Sequence, residues 1–166
     1  MEIKYFSNSF LDDLTRNGLL SARGRNNFNI HAESNDPCQR LFNAIGVDSY
    51  IPPHRHSLDP KCETLIAISG LFALFIFDDY GKVLKIIKFG SDPYRRQDIN
   101  CGVGVEIPPN YWHTVIALSE SAILFEVKGG PFDPLLAKEM APWAPKEGDF
   151  NSLEYLNFLK NQMNAA

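Results

Sequence analysis

The sequence predicts a mainly β domain, an antiparallel sandwich or barrel with a helix at each end. From Gln39 to Lys128, short apolar or alternating runs are bounded by Gly, Pro and Asp clusters at regular spacing, the texture of many short strands. Outside that stretch, apolar residues recur at helical spacing near both termini. With 166 residues the chain is the size of one domain and can bury a core without disulfides.

The elements follow in order. Ser7 to about Gly24 carries Phe10, Leu11, Leu14 and Leu19 or Leu20 on one helical face, with Ser7, Asn8 or Ser9 to cap the start. This amphipathic helix packs outside the main body. Asn26 to Pro37 is rich in Asn, Ser and Asp and reads as a connection with room for one short strand; its His31 is a surface or packing residue. Strands are expected at Arg40–Ile45, Glu63–Ser69, Leu71–Phe77, Val83–Phe89, Gly104–Ile107, Trp112–Ala117 and Ala122–Lys128. Asp78-Asp79-Tyr80-Gly81 supplies turn formers, making Leu71 to Phe89 a hairpin. The apolar run Leu65 to Phe77 is broken by Ser69-Gly70 and falls short of the roughly 20 residues of a membrane span. It reads as two buried strands around a turn.

Pro131 to Asp149 contains Pro131, Pro134, Pro142 and Pro145, which exclude a regular central strand or a long helix. An extended arm over the body is expected, pinned by Phe132 and Trp143; crossing the barrel mouth, it would act as a lid. Asn151 and Glu154 form a capping-box pattern ahead of Leu153, Leu156, Leu159 and Met163, which begins a C-terminal helix. The chain thus divides into residues 1–37 (helix and connection), 38–130 (barrel) and 131–166 (arm and helix), within one structural unit.

Sixteen basic residues against twenty acidic give a formal charge of -4, and no Lys or Arg cluster exceeds Arg95-Arg96. Neither a nucleic-acid footprint nor a polybasic membrane anchor is present. Cys38, Cys62 and Cys101 form no C-x-x-C pair, and the first residues lack a signal peptide's apolar core, so a cytoplasmic location is expected.

Three of the four histidines carry the chemistry. His54 and His56 lie two apart, so in a strand both imidazoles face one point. Glu63 follows after a turn, where a return strand would set its carboxylate opposite the pair, and His113 comes from elsewhere in the sheet. Imidazoles with one carboxylate suit zinc, iron, manganese, nickel or copper rather than the all-oxygen sites of magnesium and calcium. Four protein ligands on a six-coordinate metal leave two positions for water or substrate. The plainer alternative makes His54 and His56 solvated loop residues beside Pro52-Pro53, with His113 packed next to Trp112.

Around these residues the chain resembles the cupins. Their first motif reads here as Gly46, His54-Arg55-His56, Glu63 and Gly70, and their second as Gly102, Pro108, Asn110 and His113. The gap from His56 to Glu63 is longer than in the family, widening a Ser57–Lys61 loop at the mouth. Asn110 replaces the motif glycine, a change compatible with a left-handed backbone, and Ala117 stands where the motif ends in Asn. A closer resemblance is to the WbuC family of cupin-fold metalloproteins. It rests on Pro53-His-Arg-His56, Glu63-Thr-Leu65, Phe77-Asp-Asp-Tyr-Gly81, Val105-Glu-Ile-Pro-Pro109, Trp112-His-Thr-Val115, Phe125 through Pro134, and Ala141-Pro-Trp-Ala-Pro145. The resemblance implies a double-stranded β-helix (jelly-roll) barrel and one divalent transition metal (zinc, iron, manganese or nickel) on His54, His56, Glu63 and His113. A sugar-related role follows from the family's similarity to proteins encoded among bacterial O-antigen genes.

The remaining polar residues define what to look for. Glu126 and Lys128 alternate on one face of the last barrel strand; an exposed pair is the default, but an inward face would make them acid-base or anion-holding partners of the metal. Arg40 and Asn43 cannot both face inward. Tyr111 and Glu126 are the candidate catalytic bases, and Cys62, adjoining Glu63, is expected to be a buried, inert thiol. The leading expectation is a metal-dependent sugar isomerase or epimerase, plausibly homodimeric, in bacterial surface polysaccharide biosynthesis. An iron-dependent dioxygenase and a non-catalytic, metal-dependent sugar-binding module are the alternatives.

Overall fold

The computed structural model describes residues 3–163. Helix α1 (Asn8–Leu20) opens it, capped by Ser7, whose Oγ accepts from the Phe10 amide at 3.2 Å. There follow β1 (Arg25–Asn29), β2 (Cys38–Gly46), β3 (His54–Arg55), β4 (Glu63–Ser69), β5 (Leu71–Phe77), β6 (Val83–Gly90), α2 (Asp92–Arg95), β7 (Gly104–Ile107), β8 (Trp112–Ala117), β9 (Ser121–Gly129), β10 (Glu139–Met140) and α3 (Ser152–Gln162). The strands form two five-stranded antiparallel sheets, ordered β1-β2-β9-β4-β7 and β10-β3-β8-β5-β6. This is the mainly β architecture the sequence predicts.

Alternation decides what lies between the sheets. Ile45, Leu65 and Leu124 from one sheet meet Phe72, Leu74, Phe89 and Val115 from the other in the central core, where Phe72 and Phe89 stack at 5.2 Å. The opposite faces are covered by helices. Leu14 of α1 packs with Phe42, Ala44 and Ile123, and Leu156 and Leu159 of α3 pack with Ala73, Phe75 and Ile116. Gly18 lets α1 approach closely, since a Cβ there would stand 3.2 Å from the Ala44 carbonyl oxygen. Phe75 is fully buried, so truncating it to Ala would cost roughly 3–5 kcal/mol.

Several expectations need correction. Ser69-Gly70 separates two buried strands as expected, and these strands do not pair with each other. Both edges of β4 are already taken, by β7 and β9, so Gly70, with φ +79°, carries the chain into the other sheet. The hairpin at Asp78–Gly81 forms as expected between β5 and β6, with Gly81 at φ +88°. Cys62 is exposed, because β4 begins only at Glu63. Asn151 makes no side-chain capping bond; its backbone, at φ -95° and ψ 3°, already turns toward the helix and does not set the side chain on the first-turn amides. In the arm, Trp143 packs 5.1 Å from Phe77, but Phe132 is 43% exposed and is held through its amide, which donates to the Ser34 carbonyl. The short elements α2 and β10 were not foreseen.

Gly70 combines a left-handed backbone with tight packing, since a Cβ there would lie 2.5 Å from both Ala122 Cβ and Ser119 Oγ. Gly70→Ala is expected to destabilise the fold by about 2–4 kcal/mol, from the φ penalty and the overpacking together. Chemical denaturation checks this; an unchanged midpoint would contradict it.

Candidate metal centre

At one end of the barrel the interior turns polar. Pro52-Pro53 leads the chain into β3, which pairs with β8 so that His54 sits directly across from His113, their rings 4.5 Å apart. His56 continues the chain past β3, and Glu63 opens β4 in the facing sheet. The carboxylate therefore does not come from a return strand paired with the histidines, because β3 and β4 belong to different sheets. The four ligand atoms nevertheless lie within 4.8 Å of one another, and all four residues are buried.

Each imidazole is oriented from behind. Nδ1 lies 2.9 Å from the Pro52 carbonyl oxygen in His54, 2.6 Å from that of Ala137 in His56, and 2.8 Å from that of Tyr111 in His113. A carbonyl only accepts, so each Nδ1 donates its proton behind the ring and each Nε2 is turned inward. Glu63 Oε2 stands 3.4 Å from His56 Nε2 and 3.3 Å from His113 Nε2. Lone pairs facing a carboxylate repel unless a cation lies between them. A proton can serve, and a transition metal fits this set of nitrogen and oxygen donors.

The surrounding charges follow from register. Lys128 is paired opposite Glu63 across β9 and β4, and its Nζ reaches Glu63 Oε1 at 3.0 Å and Glu126 Oε1 at 3.3 Å. Glu126 and Lys128 thus face inward, not outward as the default reading had it. Asn43 lines the interior while Arg40 turns out toward Asp36. Burial alone would raise the Glu63 carboxyl, but bonds from His113 and His56 and the Lys128 charge hold it well below the usual carboxylate range. Burial, followed by repulsion from Glu63, pushes Glu126 up to about 7. Tyr111 is 51% exposed and reaches the cluster through its carbonyl. Asn110 adopts φ 71°, the left-handed turn expected of the motif position it fills.

Two spaces adjoin the cluster. A small cavity of about 50 Å³ is lined by His54, His113, Glu63, Glu126 and Lys138. A wider one of about 690 Å³ shares Asn43, Ile51, Glu126 and Lys138 with it and adds Gln39, Arg25 and Asn27. Ala137 and Lys138 were missed at the sequence level. Both sit in the proline arm, whose irregular backbone gives no periodicity to show which side chains point inward.

A family profile described as "Domain of unknown function (DUF6016)" matches residues 6–89, half of the chain. No curated protein sequence matches it significantly. Among solved structures, it is similar to an uncharacterized conserved protein with a double-stranded β-helix domain from Klebsiella pneumoniae. That match has a TM-score of 0.54 and 16% identity, covering 84% of this chain and 98% of the other. A protein of Shewanella oneidensis gives a TM-score of 0.58 at 10% identity over 78% and 82% of the two chains. The capsular polysaccharide assembling protein CapF of Staphylococcus aureus gives 0.53 at 17% over 73% and 32%. The fold is thus a double-stranded β-helix of the cupin type, with a buried His and Glu cluster compatible with metal. No helix among the described residues is long and apolar enough to cross a membrane.

Burial, reinforced by the Lys138 and His113 charges, holds the His54 imidazole well below its ordinary 6.5. The unfolded chain therefore binds a proton there that the folded chain refuses, so this stability is complete above the ordinary histidine range and is lost as pH falls through it. With Glu126, raised to about 7, acting in the opposite sense over the same range in both proteins, the melting temperature of metal-stripped wild type is expected to fall more steeply below about pH 6.5 than that of His54→Gln. Identical profiles for the variant and the wild type would contradict this.

Proposed function

Since the chain belongs to the DUF6016 family, we propose from its own residues that it is a metal-dependent enzyme acting on a sugar or similar small polar metabolite. The reaction is of the isomerase or epimerase type, in bacterial surface polysaccharide biosynthesis. The observation that carries this reading is the juxtaposition of the four-residue cluster, the inward Glu126 and a wide polar cavity. Its amide-lined wall suits a ligand with many hydroxyl groups. The motif-by-motif resemblance to the WbuC cupins supports the sugar assignment. CapF, a capsular polysaccharide assembling protein, shares the fold at an identity that bears on the fold alone.

An isomerisation moves a proton from a carbon beside a carbonyl to a neighbouring atom or the opposite face. Glu126 borders both cavities beside Glu63 and is placed to take that proton and return it. Lys128, bonded to both carboxylates, offsets their mutual repulsion. His54, His56, Glu63 and His113 would hold the metal, which when bound supplies a Lewis acid toward a substrate oxygen. Tyr111, half exposed, is the poorer candidate for the base.

Protein purified without added metal would be assayed for bound metal and then incubated in deuterium oxide with free and nucleotide-linked hexoses under proton NMR. Bound metal and deuterium uptake beside a carbonyl are expected, with Glu126→Gln keeping the metal and slowing exchange about a hundredfold or more. Bound iron with substrate-dependent oxygen uptake and no exchange would establish a dioxygenase instead. Sugar binding without turnover would establish a non-catalytic module.

A further inference from the structure

Lys138 occupies a place the proposed chemistry leaves unused. Its neighbours are both fixed to the strand that bears the histidines. Ala137 accepts from His56 Nδ1 through its carbonyl, and Glu139 grips Arg55 with two bonds, of 2.7 and 3.0 Å. Glu139 also accepts from Ser57 Oγ and pairs in register with Arg55 across β10 and β3. Arg55 lies over the Trp112 ring at 4.2 Å, on the face of the sheet away from the barrel interior. Glu139 therefore points outward, while Lys138, just ahead of β10, turns to the other side. Lys138 lines both the small cavity at the histidines and the wide polar one.

The other cations around these spaces are already partnered. Lys128 is bound to Glu63 and Glu126, and Arg25 and Arg23 share Glu147, at 2.5 and 2.8 Å. Among the described residues, Lys138 has neither an ion pair nor a hydrogen bond; burial lowers its ammonium from the ordinary value, and the fields of Glu63 and Glu126 pull the other way from a longer range. Its side chain stays accessible to the open cavity although protein surrounds it. An ammonium without a direct counterion, beside a polar cavity, is complementary to a negative group on the ligand.

We propose that Lys138 is the anion-recognising residue of this site and that the substrate is an anionic sugar derivative. Its carboxylate or phosphate is held by Lys138 while its neutral oxygens face His54, His113 and Glu63. The inference deepens the reading of a metal-dependent sugar enzyme and rests on it. Asn27, Asn43 and Gln39 supply amides for hydroxyl groups across the same space, so charge at one end and hydroxyls along the wall define the ligand class.

The test is calorimetric titration of the protein, carrying the metal it retains on purification, with glucuronate, glucose 6-phosphate and glucose. At least one charged probe is expected to bind about tenfold or more tighter than glucose. A preference for glucuronate assigns a carboxylate, and a preference for glucose 6-phosphate a phosphate. Lys138→Met is expected to bring the charged probes to the level of glucose, with melting temperature and metal content unchanged, while Lys138→Arg keeps the preference. Equal affinity for charged and neutral probes in the wild type, including no binding of any, overturns the proposal. An undiminished preference in Lys138→Met does the same. Metal content of these preparations separates the two readings, since a metal-free chain with a Lys138-dependent preference overturns the metal centre and leaves the lysine in place.

Discussion

Three imidazoles converge on Glu63 because each Nδ1–H is committed to a main-chain carbonyl behind it. Two of those carbonyls, of Pro52 and Tyr111, lie two residues before histidines that face each other on paired strands. The third, of Ala137, comes from the proline arm. With the tautomers set in this way, every ring offers the same nitrogen to the same point, and much of the architecture serves to hold these backbones in place. The facing sheet contributes the carboxylate, so the site exists only when the two sheets close on each other.

That closure divides the barrel interior by chemistry. The apolar end, from Phe72 and Phe89 to Leu124, supplies the burial that drives folding. The opposite end concentrates Glu63, Glu126 and Lys128 with the three histidines, groups that are costly to bury singly and tolerable because their register pairs them. The arm closes this end. Its clasp of Arg55 and Glu139 on the outside and its contact with His56 on the inside make it part of the site's wall, beyond a covering for the sheet.

Most of the barrel could be read in the sequence because its strands alternate or run apolar between clear turn formers. The hairpin at Gly81 follows from residue chemistry, and the positive φ at Asn110 from the motif position it fills. The four candidate ligands were legible from their types and spacing, since two histidines in alternation share a face in any strand. The inward face of Glu126 and Lys128 was not. A two-residue alternation fixes that they share a face without saying which one, and only pairing with β4 places them beside Glu63. Sheet partnership was equally hidden at Gly70, because a break between two apolar strands does not say whether they pair or enter different sheets. Lys138 left no signal, because the prolines around it erase the periodicity from which direction is inferred.

One transition metal between the sheets would be held by the Nε2 atoms of His54, His56 and His113 and by Glu63. Anomalous diffraction from crystals of protein purified without added metal, recorded above and below the absorption edge of the metal it carries, tests this most directly. The account predicts a single strong anomalous peak about 2.0–2.2 Å from the three Nε2 atoms and one Glu63 oxygen. A peak bound elsewhere on the chain, or Nε2 atoms turned away from a shared centre, would contradict it.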